Sequence, residues 1–575
     1  MTIELRKLLI DVAAKRTAAE LVIKNAFVVD VFNAEIKQAD VAISGGYIAA
    51  IGHYSGPKEF DATGRYLVPG FIDSHVHIES SLLGPASFAA LVLQHGTTTV
   101  IADPHEICNV GGLAAFDYMV SSSENLPLSI FYMIPSCVPA TSFEHSGSVL
   151  DVAAIESRMD HKRVLGLGEM MDIEATVAAD ETILRKLQTA HKRGKIVDGH
   201  GPQLEKERLQ AFAASGIKTD HECTTASELH QKIASGMYVL LREGSASHDL
   251  RTLLKGVTAA NSRRCLFCTD DRLPHSILEE GHIDNHLRIA VEMGFDPIEA
   301  LRMATLNAAE CYALADRGAI GPGKRADLVL VEDLHSFSVL EVWTQGVRYQ
   351  DQPIETEESI PAAVQGKVNI LALGSDDLKI HLRSPKVRVM EIVPGSLITL
   401  STPIVVDVDQ NGIYRSDSTS LLSKLAVIER HHSTGNVGLG LLKGYNITNG
   451  AIALTIAHDS HNLIVAGDND EDMLVAIKEI TLLGGGIVLV HNKKVLGSLA
   501  LPIGGLMSPL SAEVVSQQLA ALHQKALDVL HINKEIDPIM TLSFMALPVI
   551  GDVKLTDMGL FDINQQRFVP LEWDR

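Results

Sequence analysis

The sequence predicts an α/β protein built on a (β/α)8 barrel, with a split small β-sandwich domain and an additional C-terminal α/β domain. Two patterns predict the barrel. Between residues 67 and 316, eight short apolar runs alternate with longer segments of helical period. Strands that alternate with helices pair in parallel, because each crossover returns the chain to the same end of the sheet, and eight such units form a closed barrel. Nearly every run also starts apolar and ends in ionisable or small polar residues. A purely structural sheet has no reason to polarise its strands this way, whereas a barrel gathers those ends on one face, where its active sites are built.

The elements follow in order. In "MTIELRKLLIDVAAKR", Leu5, Leu8, Leu9 and Val12 fall at helical spacing and predict an amphipathic surface helix. Residues 19–66 are rich in β-branched residues, and Gly45-Gly46 between alternating apolar positions marks a hairpin. Residues 1–66 thus hold the helix and the first part of the β-domain, and 67–316 the barrel. The eight runs are "LVPGFIDSHVHIE", "TTTVIADPHE", "LSIFYMIPSCVPA", "VLGLGEMM", "KIVDGHGP", "IKTDHE", "MYVLLREGS" and "RCLFCTDD", with helices such as Ala86–His95 and Ala175–Arg193 between them. After the turn signal Gly321-Pro322-Gly323-Lys324, residues 317–355 return to β-texture and complete the β-domain. Residues 356–374 read as a polar linker, and 375–575 as a third domain with strands such as "GAIALTIA" and helices such as "DEDMLVAIKEITLL".

Bulk properties exclude several function classes. The formal net charge of −22 argues against a nucleic-acid partner, which calls for a basic face. No apolar run reaches the ~18 residues of a membrane span, so no membrane partner is expected. The N-terminus lacks the uninterrupted apolar core of a signal peptide. The six cysteines are scattered apart from Cys265 and Cys268, whose apolar neighbours favour a buried strand over a metal or redox pair. A reducing cytoplasmic setting follows, and a homodimer is the default assembly.

The polar strand ends carry the chemistry. His75 and His77 share one strand face, with Asp73 and Glu79 at the same spacing. Alone, this pair suits a metal or two satisfied structural histidines. Glu169, His200, His221 and Asp270 at other strand ends tip the balance, because buried charges and imidazoles at such density need a cation to organise them. These donors suit Zn2+, Mn2+ or Fe2+. A carboxylate on strand 4 can bridge two ions, and two close ions lower the pKa of a shared water. Asp103, His105 and Glu106 beyond strand 2 suit an auxiliary metal, substrate positioning or a capped loop. Arg242 and Glu243 suit a substrate edge or an internal ion pair. His458 and His461 in "AHDSHN" suit closure of the site from the third domain or local hydrogen bonding. Glu222 and His95 read as structural or solvated.

The strings "PGFIDSHVHIE", "DGHGP", "TDHE", "CTDD" and "GAIGPGKRADLVL" resemble the amidohydrolase superfamily over residues 19–350. That resemblance implies a TIM-like metal-dependent hydrolase barrel in which His75, His77, His200, His221 and Asp270 are ligands. Glu169 stands where many members carry a carboxylated lysine. Finer strings, among them "TTTVIADPHEICNVGG", "CTDDRLPHSILEEGHID" and "LPIGGLMS", resemble the bacterial adenine deaminases across nearly the whole chain. The implied reaction is hydrolysis of adenine to hypoxanthine and ammonia by a metal-activated hydroxide, with two divalent ions per chain, Mn2+ or Fe2+, and Zn2+ as an alternative. Glu169 is the implied proton shuttle, with Asp270 and Asp271 as rivals and His221 also in the catalytic set. Glu79, Glu106, Arg242, Glu243 and His458 are expected around the substrate. A second reading is another amidohydrolase acting on a cyclic amide or N-acyl substrate.

Overall fold

The structure, a computed structural model of the chain, describes residues 1–355, 360–416 and 422–573. Residues 356–359, at the start of the expected linker, and 417–421 and 574–575 of the expected third domain lie outside the described residues.

Helix Ile3–Ala13 begins on Thr2, whose hydroxyl accepts from the Leu5 N–H at 3.2 Å, and buries Leu9 and Val12 against the β-domain. That domain is one eight-stranded sheet, in which Leu328–Val331 pairs with Tyr66–Pro69 and so ties the segment after the barrel to the segment before it. Gly45 and Gly46, at φ 57° and 80°, make the tight turn between Glu35–Ser44 and Tyr47–Gly52. The sheet rolls around Trp343, Ile43, Leu67 and Leu328, and Tyr47 bridges to Arg325.

All eight apolar runs contain a strand: Phe71–Val76, Thr97–Ala102, Ser129–Ile134, Val164–Met170, Ile196–Gly199, Thr219–Asp220, Tyr238–Arg242 and Cys265–Cys268. The first five form one parallel sheet and the last three another. Backbone bonds join the two into a barrel: Lys218 N–H to the Val197 carbonyl at 2.9 Å, and Asp270 N–H to the His75 carbonyl at 3.0 Å. Cys265 and Cys268 are buried and unpaired within the eighth strand.

One helix departs from expectation. Ala175–Arg193 is not continuous: Ile173–Val177 and Glu181–His191 are separate helices, broken where Ala179 turns to φ 57° and Asp180 caps the second through the Thr182 and Ile183 N–H groups. An aspartate cap restarts a helix readily, because it satisfies donors that the new first turn leaves free.

In the third domain an eight-stranded sheet carries different side chains to its two faces, as a period of two dictates. Ala426, Ile428, Ala453 and Val465 pack against helix Asp470–Leu483. Leu425, Val427, Ile452 and Ile464 belong to the core that is continuous with the barrel. Residues 360–374, within the span read as a linker, pack along this domain: Gly366 N–H donates to the Pro502 carbonyl at 2.7 Å and Asn369 N–H to that of Arg430 at 2.8 Å. The third domain sits over the C-terminal mouth of the barrel. Gly84 N–H donates to the Ser508 carbonyl at 2.9 Å, Ser508 N–H to that of Leu82 at 2.8 Å, and the Asn462 amide to that of His145 at 2.8 Å.

Candidate metal centre

The C-terminal strand ends converge on Glu169. Its Oε1 lies 3.3 Å from His77 Nε2, 3.2 Å from His105 Nδ1 and 3.8 Å from His75 Nε2. Its Oε2 lies 2.8 Å from His200 Nδ1 and 3.3 Å from His221 Nε2. The carboxylate therefore stands between two sets of imidazoles, one oxygen facing each. Asp270 completes the first set, with Oδ1 3.0 Å from His77 Nε2 and 3.6 Å from His75 Nε2. All of these side chains are buried or nearly so.

Local structure explains the placement. His75 and His77 are two residues apart at the end of strand 1 and project to one side. Gly168 precedes Glu169 because nothing larger fits: a Cβ there would lie 2.2 Å from Asp103 Oδ2. The same oxygen accepts from the Glu169 backbone N–H at 2.9 Å, so Asp103 fixes strand 4 at the level of the site. Below strands 5 and 6, buried Lys232 pairs with Asp220 and donates to the Gly201 carbonyl at 2.7 Å. Asp220 accepts from the Gly201 N–H at 2.8 Å and the Glu222 N–H at 2.9 Å, stapling the backbone beside His200 and His221.

The donor chemistry fits a metal. His77 Nδ1 donates to the Asp103 carbonyl at 2.8 Å, so its Nε2 carries the lone pair. That lone pair faces His75 Nε2 at 3.1 Å and Asp270 Oδ1 at 3.0 Å. Three electron-rich atoms meeting in a buried space need a cation between them. Donor atoms lie within 4.8 Å of one another in the groups His75–His77–Asp270, His75–Glu169–His221, His77–His105–Glu169 and His200–His221–Glu222.

Electrostatics agree. Burial alone would raise the Glu169 carboxyl, but His221, His105 and His200 hold it well below the usual carboxylate range. Burial opposes ionisation of Asp270 too, yet His75, His77, His221 and Arg242 keep it low. Asp271 differs: burial and the neighbouring Asp270 push it up to about 6. It faces the cavity, with Oδ1 2.5 Å from Ser80 Oγ.

Several expectations need correction. Asp103, His105 and Glu106 do not form an auxiliary set. Asp103 supports strand 4, His105 joins the Glu169 group, and Glu106 turns away to Ser80 and His458, because the helix that starts at His105 aims successive side chains in different directions. Glu106 lies instead with His458 and His461, their donor atoms within 4.8 Å of one another. His461 Nδ1 accepts from the Ala457 N–H at 3.2 Å, which leaves its proton on Nε2 and no lone pair for a metal there. Glu79 does not line the cavity: its Oε1 accepts from the Ile107 N–H at 3.1 Å, and burial with Glu106 pushes it up to about 7. Arg242 and Glu243 do not pair. Arg242 lines the cavity but spends its guanidinium on Glu222, Asp270 at 2.8 Å and Asp249 at 3.1 Å, whereas Glu243 holds His248 at 2.9 Å. Glu222, read as structural or solvated, reaches His221 at 3.6 Å and His200 at 3.9 Å. Sequence reasoning missed Ser80, which bonds Glu106 and Asp271, and the third-domain wall of Leu397, Asp459, Phe544, Leu547 and Ile550. Ser80 sits three residues from His77, but nothing in the sequence pointed to the wall.

Comparison with known proteins agrees with this architecture. The Amidohydrolase family profile matches residues 66–348, the adenine deaminase C-terminal domain profile residues 396–567, and the urease alpha-subunit N-terminal domain profile residues 8–72. The chain is 48% identical over its whole length to adenine deaminase 2 of Desulfotalea psychrophila, covering 100% of both chains. It is 51% identical to the adenine deaminase of Nitratidesulfovibrio vulgaris strain DP4 over 97% of this chain and 98% of that one. The adenine deaminase of Halalkalibacterium halodurans is 45% identical over 97% of both chains. The chain belongs to the adenine deaminase family, within the amidohydrolases.

Proposed function

We propose that this protein deaminates adenine, converting adenine and water to hypoxanthine and ammonia. The observation that carries the reading is similarity over the whole chain, third domain included, to proteins named adenine deaminase. The site's geometry supplies the chemistry. Two divalent ions would suit it: His75, His77, Asp270 and Glu169 would hold one, and Glu169, His200 and His221 the other. Mn2+ or Fe2+ is the expected identity. Such a centre, when loaded, makes a water acidic enough to attack near neutral pH.

The chain's own residues then have distinct tasks. Glu169 and Asp270 are anionic donors whose oxygens are all engaged, Asp270 Oδ2 by Arg242 at 2.8 Å. Neither has an oxygen free to ferry a proton. Asp271 has its Oδ1 on Ser80 and otherwise faces the cavity, so it is the better group to take one proton of the water and pass it to the departing amine, while the water's other proton ends on N1 of hypoxanthine. His221 is a ligand and takes no proton. Phe544, Leu547 and Ile550 give the cavity an apolar wall suited to a planar ring and exclude bulk water. The six unpaired cysteines support a reducing cytoplasmic setting. Among the described residues no helix is long and apolar enough to cross a membrane. A homodimer is the expected assembly, checked by sedimentation.

The test is ammonia release by Mn2+-loaded enzyme from adenine, adenosine and N-acyl sugars. Release from the free base alone is expected. Release from an N-acyl or cyclic amide substrate with none from adenine overturns the reading. With both carboxylate assignments correct, Asp271→Asn keeps its metal and loses turnover, whereas Glu169→Gln loses metal as well.

A further inference from the structure

His458 comes from the third domain yet lines the metal cavity. Three contacts fix it. Its Nδ1 lies 3.2 Å from Glu106 Oε1. Its ring stacks on Phe544, with centroids 4.2 Å apart and planes 15° from parallel. Its backbone N–H donates to the Ser543 carbonyl at 2.9 Å. Glu106 is held in turn by the Ser80 hydroxyl at 3.1 Å. Both His458 and Glu106 are almost wholly buried, at 5% and 2% exposure.

An imidazole with one nitrogen on a carboxylate and its plane clamped by an aromatic ring has a single fixed orientation. The nitrogen left over is Nε2, which has no protein partner among the described residues. The ring lines the cavity wall, so this nitrogen is open to a ligand or a water there. The apolar wall beside it suits the faces of a planar heterocycle but cannot set that ring's rotation. A ring nitrogen of a purine is the complement of an imidazole nitrogen.

We infer that His458 contacts the substrate directly, its Nε2 hydrogen-bonding a ring nitrogen of the bound base, and that Glu106 is the positioning residue that holds it there. The third domain is then part of the binding site and not an accessory to the barrel. This inference rests on the adenine reading above.

The test uses metal-loaded full-length enzyme and inhibition constants for adenine analogues, each a deaza form lacking a different ring nitrogen. His458→Phe keeps the stack on Phe544 and loses the hydrogen bond. It is expected to raise KM for adenine by about tenfold, the scale of one buried hydrogen bond, with metal content unchanged. For the one analogue that lacks the contacted nitrogen, wild type and His458→Phe bind alike. Glu106→Gln, whose amide oxygen still accepts from Nδ1, retains most of the affinity, whereas Glu106→Ala loses as much as His458→Phe. An unchanged KM in His458→Phe, or an equal loss on every analogue, overturns the inference. Wild-type turnover is measured first: no deamination of adenine sinks the functional reading itself, while normal turnover with an insensitive His458→Phe sinks only this contact.

Discussion

Lys232 is the position where a single change beneath the site is expected to cost both stability and metal. It is 1% exposed, pairs with the fully buried Asp220 and donates to the Gly201 carbonyl at 2.7 Å. Burial pulls its ammonium pKa down, but Asp220 more than compensates and holds it above the ordinary value. Lys232→Met keeps the aliphatic stem and removes the charge, so Asp220 becomes a buried carboxylate without a counter-ion. Breaking such a pair from one side costs about 3–5 kcal/mol. The Gly201 and Glu222 N–H groups still bond Asp220, which puts the expected loss near the lower end, about 3 kcal/mol. The same backbone carries His200 and His221, so metal affinity should fall by about 10–100-fold, the usual effect of losing support behind a ligand. Urea denaturation of the metal-free protein reads the first effect and a competitive metal titration the second. Lys232→Met/Asp220→Asn, which removes the stranded charge and keeps an acceptor for one of the two backbone N–H groups, should recover part of the stability. A Lys232→Met variant as stable as wild type, or a double variant no better than the single, would refute the argument.

Other consequences can be checked as directly. Glu169→Gln removes the anion shared by both imidazole sets and should lower metal content per chain by elemental analysis; full retention would mean that the carboxylate is not a ligand. Gly168→Ala should abolish turnover while leaving a folded chain by circular dichroism, because the new Cβ must displace the Asp103 carboxylate from 2.2 Å; normal activity would show that strand 4 can shift without consequence. Burial pushes the Lys554 ammonium from 10.5 down to about 7. Between those values the unfolded chain holds a proton that the folded chain lacks, so this residue's contribution to stability falls as pH drops from 10.5 to about 7. The urea midpoint of wild type relative to Lys554→Met should therefore rise from pH 7 towards pH 10, and parallel midpoints would contradict the assignment.

Much of the barrel and of its cluster of candidate metal donors was legible in the sequence because the signals are local. An apolar run that ends in a charged or imidazole residue declares both a strand and its polar end. Two histidines at i and i+2 share a face by the geometry of an extended chain. The break within 175–193 was also written locally, in the aspartate at position 180 that caps a new turn, but helical periodicity runs through such a break undisturbed. Glu222, read as structural or solvated, follows the strand Thr219–Asp220 and pairs with Arg242. That pairing brings its carboxylate beside His221 and His200, a contact between strands that the local sequence does not carry.

The sequence by itself determined the strand order, the polar ends, the donor types and, through the resemblance of its motifs, the family. Tertiary structure alone decided which donors meet. That Asp103 supports Glu169 across 66 residues, that Arg242 rather than a substrate occupies Asp270 Oδ2, and that Glu79 faces away from the cavity all depend on side-chain direction and distance between strands. The same holds for the third domain. "AHDSHN" carries two histidines three residues apart, and only the packing of that loop over the barrel mouth separates them. His458 meets Glu106 and the cavity, while His461 spends its Nδ1 on the chain's own backbone. Contacts between residues hundreds of positions apart leave no period or local motif in a single sequence; they arise when the chain closes and buried polar groups must find partners.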